Sequence, residues 1–89
     1  MADIKKSLTA TGVVMPQKGS YWGYIVTTAL SAAAVTIYDN ASAASGTVID
    51  VIPASAAIGT QKTFTTPVPC SSGIYASFAG TGTVLFLCD

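Results

Sequence analysis

The sequence contains no histidine, no glutamate and no arginine, and its 89 residues include only four lysines and four aspartates. Without His or Glu the commonest general acid and base groups are missing. The carboxylates are Asp3, Asp39, Asp50 and Asp89. Asp39 and Asp50 have the chemistry for a carboxylate pair or part of an oxygen-ligand calcium site, but a turn former at Asp39 and a sheet-rim residue at Asp50 account for them more simply. Cys70 has no His to draw off its proton, which removes the thiolate nucleophile. Cysteine itself is scarce. Cys70 and Cys88 are too few for a disulfide framework and lack metal-ligand spacing, so they read as reduced thiols acting as small apolar residues. A bridge between them requires the segment before Ile74 to bend back toward the end of the last strand. The expectation is a protein that is not an enzyme and holds no cofactor and no metal.

Scarce charge also narrows the partners. Lys5, Lys6, Lys18 and Lys62 stand alone as cations on a chain of zero net charge, which leaves no basic patch for a phosphate backbone. Nucleic acid is not an expected partner. Residues 19–38 carry no charge and have about the length of a membrane-crossing helix. Their content opposes insertion: glycine, serine and threonine dilute the large apolar residues, and the β-branched and aromatic cluster of 21–28 suits a pleated surface. No membrane span is expected. The first twenty residues lack a continuous apolar run, so no secretory signal is read there, and assembly in the cytoplasm is expected.

What is present is apolar. Hydrophobic residues make up 51% of the chain, charged residues 9%, and the mean hydropathy is +0.58. Disordered chains show the reverse balance. Soluble proteins average about 25% charged residues, so a free monomer would have few charges to keep it in solution. Much of the surface is therefore expected to be covered by a partner or by copies of the same chain.

Every strong local signal is a β signal. Runs of Val, Ile, Thr, Tyr and Phe alternate with clusters of Gly, Pro, Ala and Ser, the pattern of a small antiparallel β-sandwich, jelly-roll or immunoglobulin-like, of about seven strands in one domain spanning 1–89. The strands are expected at 7–15, 21–28, 34–39, 47–52, 61–66, 73–79 and 83–88, with 1–11 including a candidate N-terminal arm. Pro67 and Pro69 are expected to end the fifth strand, and Gly80-Thr81-Gly82 to turn the last two into a hairpin. That glycine pair is no phosphate loop, since neither a helix nor a lysine follows. Strict alternation in 21–28 sends Trp22, Tyr24 and Val26 to one face and Tyr21, Ile25 and Thr27 to the other. In 47–52 it puts Asp50 on the face of Val48 and Ile52, so either Asp50 lies at a wet rim or its neighbours face an interface. Strands apolar on both faces single out Tyr21, Trp22, Tyr24, Ile49, Val51, Leu85 and Leu87 as candidate contacts with other subunits. Trp22 with Tyr21, Tyr24, Tyr38 and Tyr75 also has the makings of a sugar platform, although core and subunit-contact roles explain these aromatics more simply.

The run GSYWGYIVTTALSAAAVTIYDNASAASGTVIDVIP and the closing GIYASFAGTGTVLFLCD resemble small β-sandwich proteins encoded among the virion structural genes of tailed bacteriophages. The shared pattern is an aromatic-glycine strand, Val-Thr-Ile-Tyr-Asp-Asn, a Ser/Ala/Gly loop ending in Gly-Thr-Val-Ile, and a terminal hairpin, covering the chain from Gly12 onward. The resemblance implies a capsid decoration, or cement, protein. Proteins of that type bind as trimers or dimers across junctions between major capsid protein subunits. It implies a homo-oligomer, with a trimer favoured, located on the capsid surface of a virion. The alternative within the same resemblance is a neck, tail or fibre component that binds a host glycan.

Overall fold

The computed structural model of the chain describes residues 4–32 and 34–89. Eight strands follow one another: β1 (Ile4–Leu8), β2 (Gly12–Met15), β3 (Gly19–Thr28), β4 (Val35–Asp39), β5 (Thr47–Ile52), β6 (Gln61–Cys70), β7 (Ile74–Phe78) and β8 (Thr83–Cys88). All pairings are antiparallel, and they build two four-stranded sheets in the orders β1-β8-β3-β6 and β2-β7-β4-β5. The pairs β1·β8, β2·β7, β3·β6 and β4·β5 are those of one long antiparallel ribbon. Rolling that ribbon up lays β8 beside β3 and β7 beside β4, which closes both sheets. This is the jelly-roll version of the expected sandwich.

The core is supplied by alternate residues of both inner faces. Tyr21, Tyr24, Val26, Val84 and Phe86 come from one sheet, and Val35, Ile37, Ile52, Ile74 and Ala76 from the other. Phe78 and Phe86 meet edge to face across the two sheets, with ring centroids 6.4 Å apart. At one end of the sandwich the loops are stitched by backbone bonds: Ser31 N–H donates to Thr81 O, Ser55 N–H to Ser31 O and Leu30 N–H to Ala56 O.

The rolled ribbon corrects several expectations. The first expected strand, 7–15, is two strands in opposite sheets, so Ile4–Leu8 of the candidate arm is a paired edge strand. The break falls before Thr11, whose hydroxyl accepts from Phe78 N–H at 2.9 Å and donates to Phe78 O at 3.2 Å, pinning the start of β2. Pro67 and Pro69 do not end β6. It runs on to Cys70, because β6 is an edge strand and one side of its backbone needs no donors. The last two strands are not a hairpin: β7 and β8 lie in different sheets, and Gly80-Thr81-Gly82 carries the chain from one to the other.

Alternation in β3 is also broken, and this moves functional candidates. Tyr21 faces Cys88 and Val68, Gly23 faces Leu87 and Thr63, and Trp22 is one extra residue against β8. On the β6 side the chain spends four residues, Phe64, Thr65, Thr66 and Pro67, opposite Trp22. A bulge shifts the side-chain phase by one, so Tyr21 points inward together with Tyr24 and Val26. With apolar residues on both faces of 21–28 the phase shift is invisible in the hydrophobic pattern, which is why strict alternation misplaces Tyr21.

Candidate interaction surfaces

The bulge sorts the seven contact candidates. Tyr21 and Tyr24 are core residues, with 0% and 4% of their surface exposed, and neither can meet another subunit in the folded chain. Ile49 is half-buried and packs against the core. Val51 is 48% exposed on β5, an outer strand of its sheet, close to the equally exposed Val48. Trp22, Leu85 and Leu87 are half-buried and lie outside the core cluster.

These three belong to one surface. Since Val84, Phe86 and Cys88 point into the core, Leu85 and Leu87 face outward from the β1-β8-β3-β6 sheet. Register places Ile25 directly opposite Leu85, with Ser7 and Gln61 at the two ends of that row. The next row runs from Lys5 at the β1 edge to Leu87, then Gly23 and Thr63. The result is an apolar centre of Ile25, Leu85 and Leu87, with Trp22 at the bulge and a polar flank of Ser7, Gln61 and Thr63, where the register position of Lys5 ends the Leu87 row. An apolar centre with a polar rim is the anatomy of a protein contact. Trp22 adds a second feature: its indole Nε1 is buried and, among the described residues, is the side-chain polar atom left without a hydrogen-bond partner. Periodicity alone does not single out Ile25, because only cross-strand register joins it to Leu85.

The other sheet has its own outer row. Val13 faces Tyr75, Tyr75 faces Tyr38, and Tyr38 faces Val48 across β2, β7, β4 and β5. The five aromatics of the sugar platform are therefore dispersed: Tyr21 and Tyr24 are inside, Trp22 is on one sheet, and Tyr38 and Tyr75 are on the opposite one.

Asp50 lies at no wet rim. It is buried at 7% exposure, and its neighbours Val48 and Val51 are the exposed ones. Tyr21 donates its hydroxyl to Asp50 Oδ2 at 2.9 Å, Lys62 Nζ donates to Oδ1 at 3.0 Å, and Val51 N–H donates to Oδ1 at 2.8 Å. Lys62 also sits 5.4 Å from the centroid of the Phe64 ring, which in turn leans on Tyr21. The network ties β5 and β6, the neighbouring outer strands of the two sheets, through β3. Burial, then the Asp50 charge and the hydrogen bond to it, push the Tyr21 phenol well above its ordinary range; burial and then Asp50 raise Tyr24 as well.

Asp39 serves a different end of the molecule. Its Oδ1 accepts from Ser72 N–H at 3.0 Å and Gly73 N–H at 3.4 Å, and its Oδ2 from Ser71 N–H and Oγ–H. Successive N–H groups of this kind form an anion-holding nest, here filled by the protein's own carboxylate. Asn40 Oδ1 then accepts from Ser42 N–H and Ala43 N–H, an Asx turn that opens the β4–β5 loop. The Ser72 bond leads in holding the Asp39 carboxyl below its usual value, with the Ser71 and Gly73 bonds contributing too. A lowered carboxyl stabilises the fold above its unfolded value of about 3.9, and that contribution disappears as pH falls through the folded value. Asp39→Asn is therefore expected to be less stable than the parent at pH 6, with the gap narrowing toward pH 2; urea midpoints across that range measure it.

Asp39 and Asp50 thus serve separate partners, and among the described residues no three of His, Cys, Asp and Glu gather as a metal site. Both thiols are free and buried. Cys70 stands opposite Gly19 on one side of β3 and Cys88 opposite Tyr21 on the other. Two strand spacings, about 9–10 Å, separate them, beyond the reach of a disulfide. Burial, then the Asp39 and Cys88 charges, push Cys70 up to about 11; burial and then Asp89 raise Cys88. Among the described residues no helix is long and apolar enough to cross a membrane. Compared with known protein families, curated proteins and solved structures, the chain matches none.

Proposed function

We propose that the protein is a non-enzymatic structural component of a tailed-phage virion, a capsid cement protein that docks on the major capsid protein and reinforces the head. The observation that carries the reading is the outer face with its apolar centre of Trp22, Ile25, Leu85 and Leu87, on a chain with only 9% charged residues. A face of that kind suits permanent assembly better than free solution. The sequence resemblance points the same way, and jelly rolls serve, by analogy, in viral capsids. A typical stable contact takes about 800 Å² from each partner. That is roughly a fifth of the 4436 Å² this chain exposes.

Co-sedimentation with undecorated heads tests the proposal. The parent chain is expected to pellet with the heads. Ile25→Lys combined with Leu85→Lys is expected to bind at least tenfold more weakly, because two charges would be desolvated in the contact, while Ala44→Lys on an exposed loop leaves binding unchanged. Equal binding by all three chains would remove this face from the contact; no binding by the parent, with capture on a glycan array, would favour a receptor-binding fibre or tail component instead.

A further inference from the structure

We infer that β1 is an exchangeable strand, and that copies of this chain associate by lending β1 to the β8 edge of a neighbour. The inference goes beyond the virion role, since it concerns only how copies join. Its ground is an imbalance between the two members of the β1·β8 ladder. β8 needs a neighbour on that side: Val84, Phe86 and Cys88 are fully buried, and without β1 a row of backbone donors and acceptors beside them would be left open. From Lys6 onward, β1 is held by little besides that ladder. Of its side chains from Lys6 onward, Lys6 and Ser7 are exposed and Leu8 alone packs against the core.

The connection has the form of a hinge. Thr11 is pinned to both backbone groups of Phe78, so the chain is fixed from that point, and only exposed Thr9 and Ala10 separate it from β1. A β1 strand from a second copy would make the same five register pairs, Ile4 with Cys88 through Leu8 with Val84. Exchange therefore sacrifices no ladder bond, and any apolar surface the copies bury against each other counts in its favour. Passing β1 from each copy to the next is a head-to-tail contact, which closes into a ring such as a trimer when the rotation allows.

Engineered cysteines read the connectivity directly. Ser7 and Leu85 are directly opposed, at a cross-strand separation that accepts a disulfide, and the native thiols are buried and do not compete. Ser7→Cys with Leu85→Cys, oxidised and run on a non-reducing denaturing gel, is expected to give covalently linked oligomers that collapse to monomer on reduction. A disulfide confined to single chains, verified by intact mass, would overturn the inference. The unmodified chain gives an independent readout: in a refolded mixture of isotope-labelled and unlabelled protein, filtered NOE spectra are expected to show contacts between Ser7 of one chain and Leu85 of another. Contacts only within a chain would likewise overturn it.

Discussion

Gly23→Ala is expected to lower stability by about 4 kcal/mol, from roughly 1–3 kcal/mol of backbone strain and a similar cost of overpacking. Gly23 has φ of 138°, and a Cβ there would stand 1.9 Å from the Lys62 carbonyl oxygen. The obstacle is the backbone of β6, which cannot rotate aside as a side chain would. Relief requires β6 to part from β3 at the point where the pairing is already interrupted by the Phe64–Pro67 excursion. A chain of this size has only about 4–13 kcal/mol in total, and each kilocalorie is worth roughly 4–8 °C in melting temperature. A drop of about 15 °C or more in a thermal melt is the expected reading. Gly59→Ala separates the two causes: Gly59 also has positive φ, 90°, but nothing lies within 4 Å of its added Cβ. It is expected to cost only the strain, about 1 kcal/mol.

The second large effect centres on Asp50. Asp50→Ala takes the acceptor from the buried Tyr21 hydroxyl and from Val51 N–H, and leaves Lys62 unpaired. Stranding a buried hydroxyl costs about 1–3 kcal/mol. With the void left by the carboxylate the total is expected near 3 kcal/mol. Tyr21→Phe, which removes one donor and keeps the ring against Phe64, is expected to cost about 1–2 kcal/mol. Lys62→Met is expected to cost 1 kcal/mol or less, because the lysine side chain is 48% exposed and water screens its bond to Asp50. Chemical denaturation of the three variants gives the order directly. Tyr21 adds a pH signature. Its raised phenol stays protonated in the fold while the unfolded chain ionises near pH 10, so its contribution is complete below pH 10 and declines as pH rises above it. Tyr21→Phe should flatten that alkaline decline.

These effects mark where the sequence was legible. Clean alternation in 35–39 correctly placed Val35 and Ile37 inside, and the β-branched runs located most strands within two residues. Three kinds of information were not there to read. A bulge shifts phase without changing composition, so Tyr21 and Trp22 exchanged faces unannounced. Edge position decides whether proline ends a strand, and it is set by pairing partners far along the chain, which is why Pro67 and Pro69 misled. The bonding of buried Asp50 depends on Tyr21 and Lys62 arriving from two other strands; a carboxylate among Val48, Ile49 and Val51 signalled something unusual without naming its partners. The contact surface was half legible. Leu85, Leu87 and Trp22 were visible as apolar residues on two-faced strands, whereas Ile25 joins them only through register.

Part of the already small charge is withdrawn from solvent. Asp50 is buried against Tyr21 and Lys62, and the Asp39 carboxylate is taken up by the Ser71–Gly73 backbone. An exposed surface of this kind is expected to persist only when covered. A three-dimensional reconstruction of the virion carrying this chain tests that most directly. The expected result is density for the jelly roll on the head, with the face of Trp22, Ile25, Leu85 and Leu87 against the major capsid protein. A head surface free of this chain, or the same face open to solvent in a bound copy, would contradict it.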